Sequence, residues 1–140
     1  MKSMTKKEKE AWVLMIDCLR EMGLPKENII AIATILQKKN QVDTMLDWIK
    51  RHHMEKPHKL IVMLVAIRLK DGINAEITDS LIQGVRLISN SFDLMTEVVM
   101  TMKSEHQMRV MIDYICKHQK ENPSGDEVIQ VAQKISEQVI

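Results

Sequence analysis

The chain is poor in the residues that build many small folds. Of its 140 residues only four are aromatic (Trp12, Trp48, Phe92 and Tyr114), four are glycine and three are proline. So few turn formers exclude a many-stranded β fold, which needs Gly, Pro or Asn at each reversal. The two cysteines, Cys18 and Cys116, lie far apart with no Cys-x-x-Cys spacing. Neither a disulfide framework nor a zinc module is therefore expected. The glycines are isolated, so no glycine-rich loop is present to cradle a phosphate. The longest apolar run, 60–67, has eight residues, against the ~20 that a membrane-spanning helix needs. Behind a basic N-terminus, the apolar stretch 11–16 stops at Asp17. That is too short for a signal peptide, and the chain reads as cytoplasmic.

What is present is typical of a globular protein: 45% hydrophobic and 28% charged residues. A chain of this length makes one domain and buries roughly two-thirds of its unfolded surface without metals or disulfides. Twelve methionines against one phenylalanine point to an aliphatic, adaptable core. The net charge of +1 conceals an asymmetry. Residues 1–70 hold 14 Lys+Arg and 8 Asp+Glu, a net +6, whereas residues 71–140 hold 6 and 11, a net −5. Opposite halves give a large dipole that favours an acidic partner or head-to-tail stacking of the chain with itself. Solvated faces of drifting sign are the plainer alternative.

The most informative pattern is self-similarity at an offset of 66 residues. Aligning 41–66 with 107–132 gives ten identities in 26 positions, among them Gln41/Gln107, Met45/Met111, Asp47/Asp113, Ile49/Ile115, His52/His118, Glu55/Glu121 and Pro57/Pro123. Upstream, few identities remain (Ile16/Ile82, Arg20/Arg86), but the apolar pattern persists. Each repeat divides into two helical hairpins, with helices expected at 6–22, 27–38, 42–54, 58–70, 75–88, 92–103, 106–120 and 126–139. Thr5-x-x-Glu8, Ser104-x-x-Gln107 and Ser124-x-x-Glu127 read as capping boxes. Gly23 and Gly72 mark helix ends, Asn40 is placed to cap the third helix, and Pro25, Pro57 and Pro123 stand at or before helix openings.

Periodicity assigns the buried faces. In helix 42–54, Val42, Met45, Leu46, Ile49 and His53 share one side, with Trp48 at its edge. Phe92, Met95, Val98, Val99 and Met102 form the stripe of the sixth helix. Helix 58–70 is apolar all round, whereas 126–139 keeps a narrow stripe of Val128, Val131, Ala132, Ile135 and Val139. An interior helix in the first repeat and a polar-backed one in the last fit a stacked array with a C-terminal cap. The expected fold class is all-α: eight helices in four hairpins, forming two tandem repeats (about 5–72 and 73–140) of one helical-repeat domain, 1–140. The expected architecture is a right-handed α-solenoid-like array, with a compact two-lobed helical bundle as the alternative.

In outline the hairpins resemble the tetratricopeptide class, in architecture only. That family's Trp-x-x-Leu-Gly-x-x-Tyr pattern is absent, and the spacing of related segments alternates between 30 and 36 residues. The string Met45-Leu-Asp-Trp-Ile-x-x-His-x-x-Glu-x-Pro57 and its variant at 111–123 also resemble short all-helical hairpin-repeat proteins of gut Gram-positive bacteria. This second resemblance covers about half the chain by motif and implies no activity.

The densest cluster of functional groups is Lys50-Arg-His-His-Met-Glu-Lys-Pro-His-Lys59. A metal site would draw on His52, His53, His58 and Glu55, but zinc needs three or four ligands converging at ~2.0–2.2 Å. Adjacent residues diverge on a helix, and the second repeat keeps His118 while replacing His53 by Gln119 and His58 by Ser124. His52 and His118 are better read as bonding near a helix C-terminus. As a nucleic-acid patch the cluster lacks interleaved aromatics, and the pI of 7.8 is low for duplex binding. Asp17, Asp47 and Asp113 recur at one helix position, but Arg20, Arg51 and Lys117 follow at ion-pair spacing. Cys18 aligns with Trp48 and Tyr114 and is expected to be buried, while Cys116 is expected on the outward face. Val13, Leu87, Met100 and Ile129 fall off their buried stripes. No catalytic residue, metal or cofactor is expected. The pattern points to a non-enzymatic protein-protein interaction module, an adaptor or inhibitor. Its expected contact residues are Lys50, Arg51, His53, Lys56, His58, Lys59 and Met100. The partner is expected to be an acidic protein. Self-association through the oppositely charged halves is the alternative, and nucleic acid is a third, disfavoured reading.

Overall fold

Apolar periodicity resolves into eight α-helices in the computed structural model, which describes residues 4–138. They are α1 (Lys6–Glu21), α2 (Lys26–Ile35), α3 (Lys39–His52), α4 (Lys59–Lys70), α5 (Ala75–Arg86), α6 (Phe92–Thr101), α7 (Glu105–His118) and α8 (Gly125–Ser136). The 3-10 turns His53–Glu55 and Gln119–Glu121 extend α3 and α7. There is no strand among the described residues, and the fold is all-α. From α2 onward the two repeats keep the same element bounds at the 66-residue offset.

Helix ends follow from local hydrogen bonding. Thr5 closes a full capping box with Glu8: its Oγ1 accepts from Glu8 N–H at 3.2 Å, and Glu8 Oε1 accepts from Thr5 N–H at 3.0 Å. Ser104 and Ser124 each accept one backbone N–H, from Gln107 and Glu127. Asn40 does not cap α3. The helix begins one residue earlier, and Gln41 Oε1 reaches back to accept from Gln37 and Lys38 N–H at 3.1 and 3.2 Å. The same bonds belong to an α2 that stops at Ile35 rather than 38, with Leu36 in extended backbone. Gly23 and Gly72 take φ of +83° and +85°, and the residues after them bond back to Leu19 and Arg68 carbonyls, closing α1 and α4.

The chain divides into two compact units, the first through Ala75 and the second from Glu76. In the N-terminal unit α1 runs along α3 and touches α2, while α4 packs on α2 and α3. Met15, Leu19, Ile32, Val42, Met45 and Val62 form its fully buried centre, and Trp12 Nε1–H donates to the Ala33 carbonyl at 3.1 Å, tying α1 to α2. α4 is buried nearly all round, including Arg68 at 5% exposure. Burial pushes the Arg68 guanidinium pKa down, and Asp71, 3.5 Å away, opposes the shift.

In the C-terminal unit α8 packs against α6 and α7. Gly84 brings α5 close to α7, since a Cβ there would lie 3.7 Å from Ile115. Buried Gln107 joins the start of α7 to the end of α8: its Oε1 accepts from Lys103 N–H at 2.7 Å and its Nε2 donates to the Gln138 carbonyl at 3.3 Å. The α6 stripe is buried as its periodicity predicts, apart from half-buried Phe92. On α8, Val128, Ala132 and Ile135 are buried and Val131 is half-buried, while Val139 lies outside the described residues.

Candidate protein-docking site

The repeated Trp/Tyr-x-x-x-His-x-x-Glu string is a chain reversal. The His52 ring lies over Trp48 with centroids 5.1 Å apart, and its Nδ1 is 2.8 Å from Glu55 Oε2. His118 repeats the arrangement with Tyr114 at 4.6 Å and Glu121 at 3.0 Å. Lys56 and Asn122 then adopt left-handed backbone, φ 49° and 50°, ahead of Pro57 and Pro123. The two histidines thus hold the turn by pairing with a carboxylate across it. The other two histidines of the cluster make different local bonds. His53 Nδ1 meets the Lys50 carbonyl at 2.9 Å, and His58 Nδ1 accepts from Leu60 N–H at 3.1 Å, capping α4. Among the described residues, His52, His53, His58 and Glu55 are not brought together as one group of ligand atoms.

A groove of about 460 Å3 opens where the C-terminal ends of α1 and α3 run side by side. α1 contributes Cys18, Glu21 and Met22, α3 contributes Ile49 and Lys50, and the turn contributes His53, Met54 and Lys56. Met54 stands at the tip, 81% exposed. Lys50 and Lys56 have no ion-pair partner among the described residues, and Glu21 is the one carboxylate in the lining. Burial pushes the Cys18 thiol pKa up, and Glu21 adds to the rise while Lys50 opposes it.

Of the contact residues expected from sequence, Lys50, His53 and Lys56 line this groove. His53 is exposed rather than on a buried helix face, because α3 stops at His52. Trp48 is buried at 1% rather than lying at an edge, on the helix that α1 packs along. Arg51 is not part of the groove's lining and pairs with Asp47 at 2.9 Å. Lys59 opens α4 and is exposed. Met100 is on α6 in the other unit, 41% exposed. Cys18, Glu21, Met22 and Met54 were not anticipated. The four-residue spacing of Cys18 and Met22 on α1 was the one available signal, since Met54 lies in a turn without helical periodicity.

Elsewhere, Asp17 pairs with Arg20 at 3.2 Å, but Asp113 and Lys117 form no ion pair. Val13 and Leu87 are exposed, at 57% and 61%, Ile129 is half-buried, and Cys116 is exposed. A second groove in the N-terminal unit, about 440 Å3, lies between α1 and α2, where Ile16, Leu24, Ile29, Ile30 and Ala33 line it together with Arg20, Lys26 and Thr34. A third, about 410 Å3, lies in the C-terminal unit between the starts of α6 and α8. No described helix is long and apolar enough to cross a membrane. Comparison with protein-family models, curated proteins and solved structures finds no match to this chain.

Proposed function

We propose that the chain is a non-enzymatic, cytoplasmic protein-binding module, a small adaptor or inhibitor, that docks an acidic protein on the groove at the end of α3. The observation that carries this reading is Met54, 81% exposed on an ordered turn between two ammonium groups, Lys50 and Lys56, that have no carboxylate partner. Covering such a side chain is worth about 1.5–3 kcal/mol, and the lysines steer an acidic surface toward it. Met22 and Ile49 provide apolar area beneath, and thioethers repack at low cost against varied partners. Binding is favoured over catalysis by the state of the one thiol in the lining: Cys18 is held toward its thiol form by burial. It is favoured over nucleic-acid binding because Trp48, the one aromatic side chain near the basic turn, is buried and presents no face to a base.

The test is affinity capture from a bacterial lysate, run in parallel with the wild-type chain and the triple variant Lys50→Glu, Met54→Asp, Lys56→Glu. All three positions are exposed, so circular dichroism should show unchanged helix content. A protein retained by the wild type and lost with the variant supports the reading. Identical retained sets contradict it.

A further inference from the structure

We infer that the acidic partner of the Met54 turn is the C-terminal unit of a second copy of this chain, an inference that rests on the docking role proposed above. The groove between the starts of α6 and α8 has the complementary character. Its rim carries Asp93, Glu97 and Asp126, and Ile88, Leu94 and Ile129 line it, with no Lys, Arg or His in the lining. Among the described residues none of the three carboxylates is in an ion pair, just as Lys50 and Lys56 are not. Ser89 and Ser91 complete a lining that is nearly half polar, so the site is an open groove of about 410 Å3 with a mixed floor and an acidic edge. The opposing feature is a projecting unbranched thioether flanked by ammonium groups.

Charge on the larger scale has the same sense. The N-terminal unit holds 14 Lys+Arg against 9 Asp+Glu, a net +5, and the C-terminal unit holds 6 against 10, a net −4. Asp93 and Asp126 sit in the first turns of their helices, where the helix dipole offsets part of their charge. Glu97 lies beyond the first turn of α6 and acts without that offset. Turn and groove are different surfaces, so the contact is heterologous. A pair of copies leaves one turn and one groove unused, and further copies can add to them.

Sedimentation equilibrium tests this at chain concentrations up to about 0.5 mM, suited to the weak end of charge-rich contacts. Salt is set at about 0.01 M and about 1 M, where the screening length falls from about 30 Å to about 3 Å. The wild type should show a mass rising with concentration at low salt and a monomer at high salt. Lys50→Glu with Lys56→Glu, and separately Asp93→Lys with Glu97→Lys, should each weaken association by roughly tenfold or more. Mixing the two variants should restore it. Asp93 lies in a helix first turn, so Glu97→Lys alone guards against a folding defect in the second variant. A wild type monomeric at low salt overturns the inference, as does association that survives either double variant. If that monomer still captures another protein through Lys50 and Met54, the docking role stands and only the second copy is excluded. If capture fails too, both fall.

Discussion

Cys18 and Cys116 offer a direct reading of the groove at the level of single side chains. Cys116 is exposed, whereas Cys18 is half-buried with its thiol pKa raised by burial and by Glu21. A raised pKa leaves less thiolate at any pH below it, so iodoacetamide should modify Cys116 several-fold faster at pH 8, measured by mass spectrometry. Glu21→Gln removes a charge that disfavours the thiolate and should speed Cys18 alone, with its pH–rate curve moving to lower pH. Its repeat equivalents Trp48 and Tyr114 lead the sequence to bury Cys18, whereas the thiol is half-buried in the groove lining; Cys116 is expected outside and is exposed. What periodicity could not supply was the fate of His53 and Met54, since a helical wheel has no meaning past the last helical residue. Arg68 was likewise hidden. Its spacing gave no sign that a cation would be 5% exposed in an otherwise apolar helix.

Among the elements, the eight helices were legible because each couples an apolar stripe to a readable boundary signal. Boundaries were missed where the signal is a side chain reaching backwards. Gln41 bonding to Gln37 and Lys38 starts α3 ahead of Asn40. The turn after α3 was also obscure, because it requires left-handed backbone at a lysine, whereas its copy uses Asn122, a residue that tolerates that conformation. This yields a test that separates folding from docking. Lys56→Gly relieves the left-handed strain and should raise stability by about 0.5–1 kcal/mol in urea unfolding, after the entropic cost of glycine. It should nonetheless weaken partner binding by removing a rim charge. Gly72→Ala, at φ +85° with open space around it, should cost about 1–2 kcal/mol through backbone strain alone. Thr5→Ala should cost about 1 kcal/mol through loss of the α1 cap.

Across the whole molecule, the 66-residue repeat explains both what the units share and where they differ. Scaffold residues are preserved: the aromatic–histidine–glutamate turn recurs with the same contacts at His52 and His118. The residues of the proposed docking surface are not. Lys50, His53, Met54 and Lys56 become Cys116, Gln119, Lys120 and Asn122 at the same offset. Both copies of the turn keep these scaffold contacts, and the first carries in addition a basic, methionine-tipped surface. The charge asymmetry that accompanies this was plain in the sequence. The groove was not, because it depends on how α1 packs along α3, elements separated by the whole of α2.

Cys18 lines that groove and Cys116 does not, so their relative alkylation rates report occupancy without any need to know the occupant. The rates should be compared between dilute purified protein, the same protein at about 0.5 mM in low salt, and dilute protein in fresh cell lysate. Docking on the Met54 turn predicts that Cys18 slows several-fold in the concentrated protein or in lysate while Cys116 is unchanged, and that Lys50→Glu with Lys56→Glu abolishes the protection. Equal rates at Cys18 in all three settings would contradict the assignment of this groove as a binding surface.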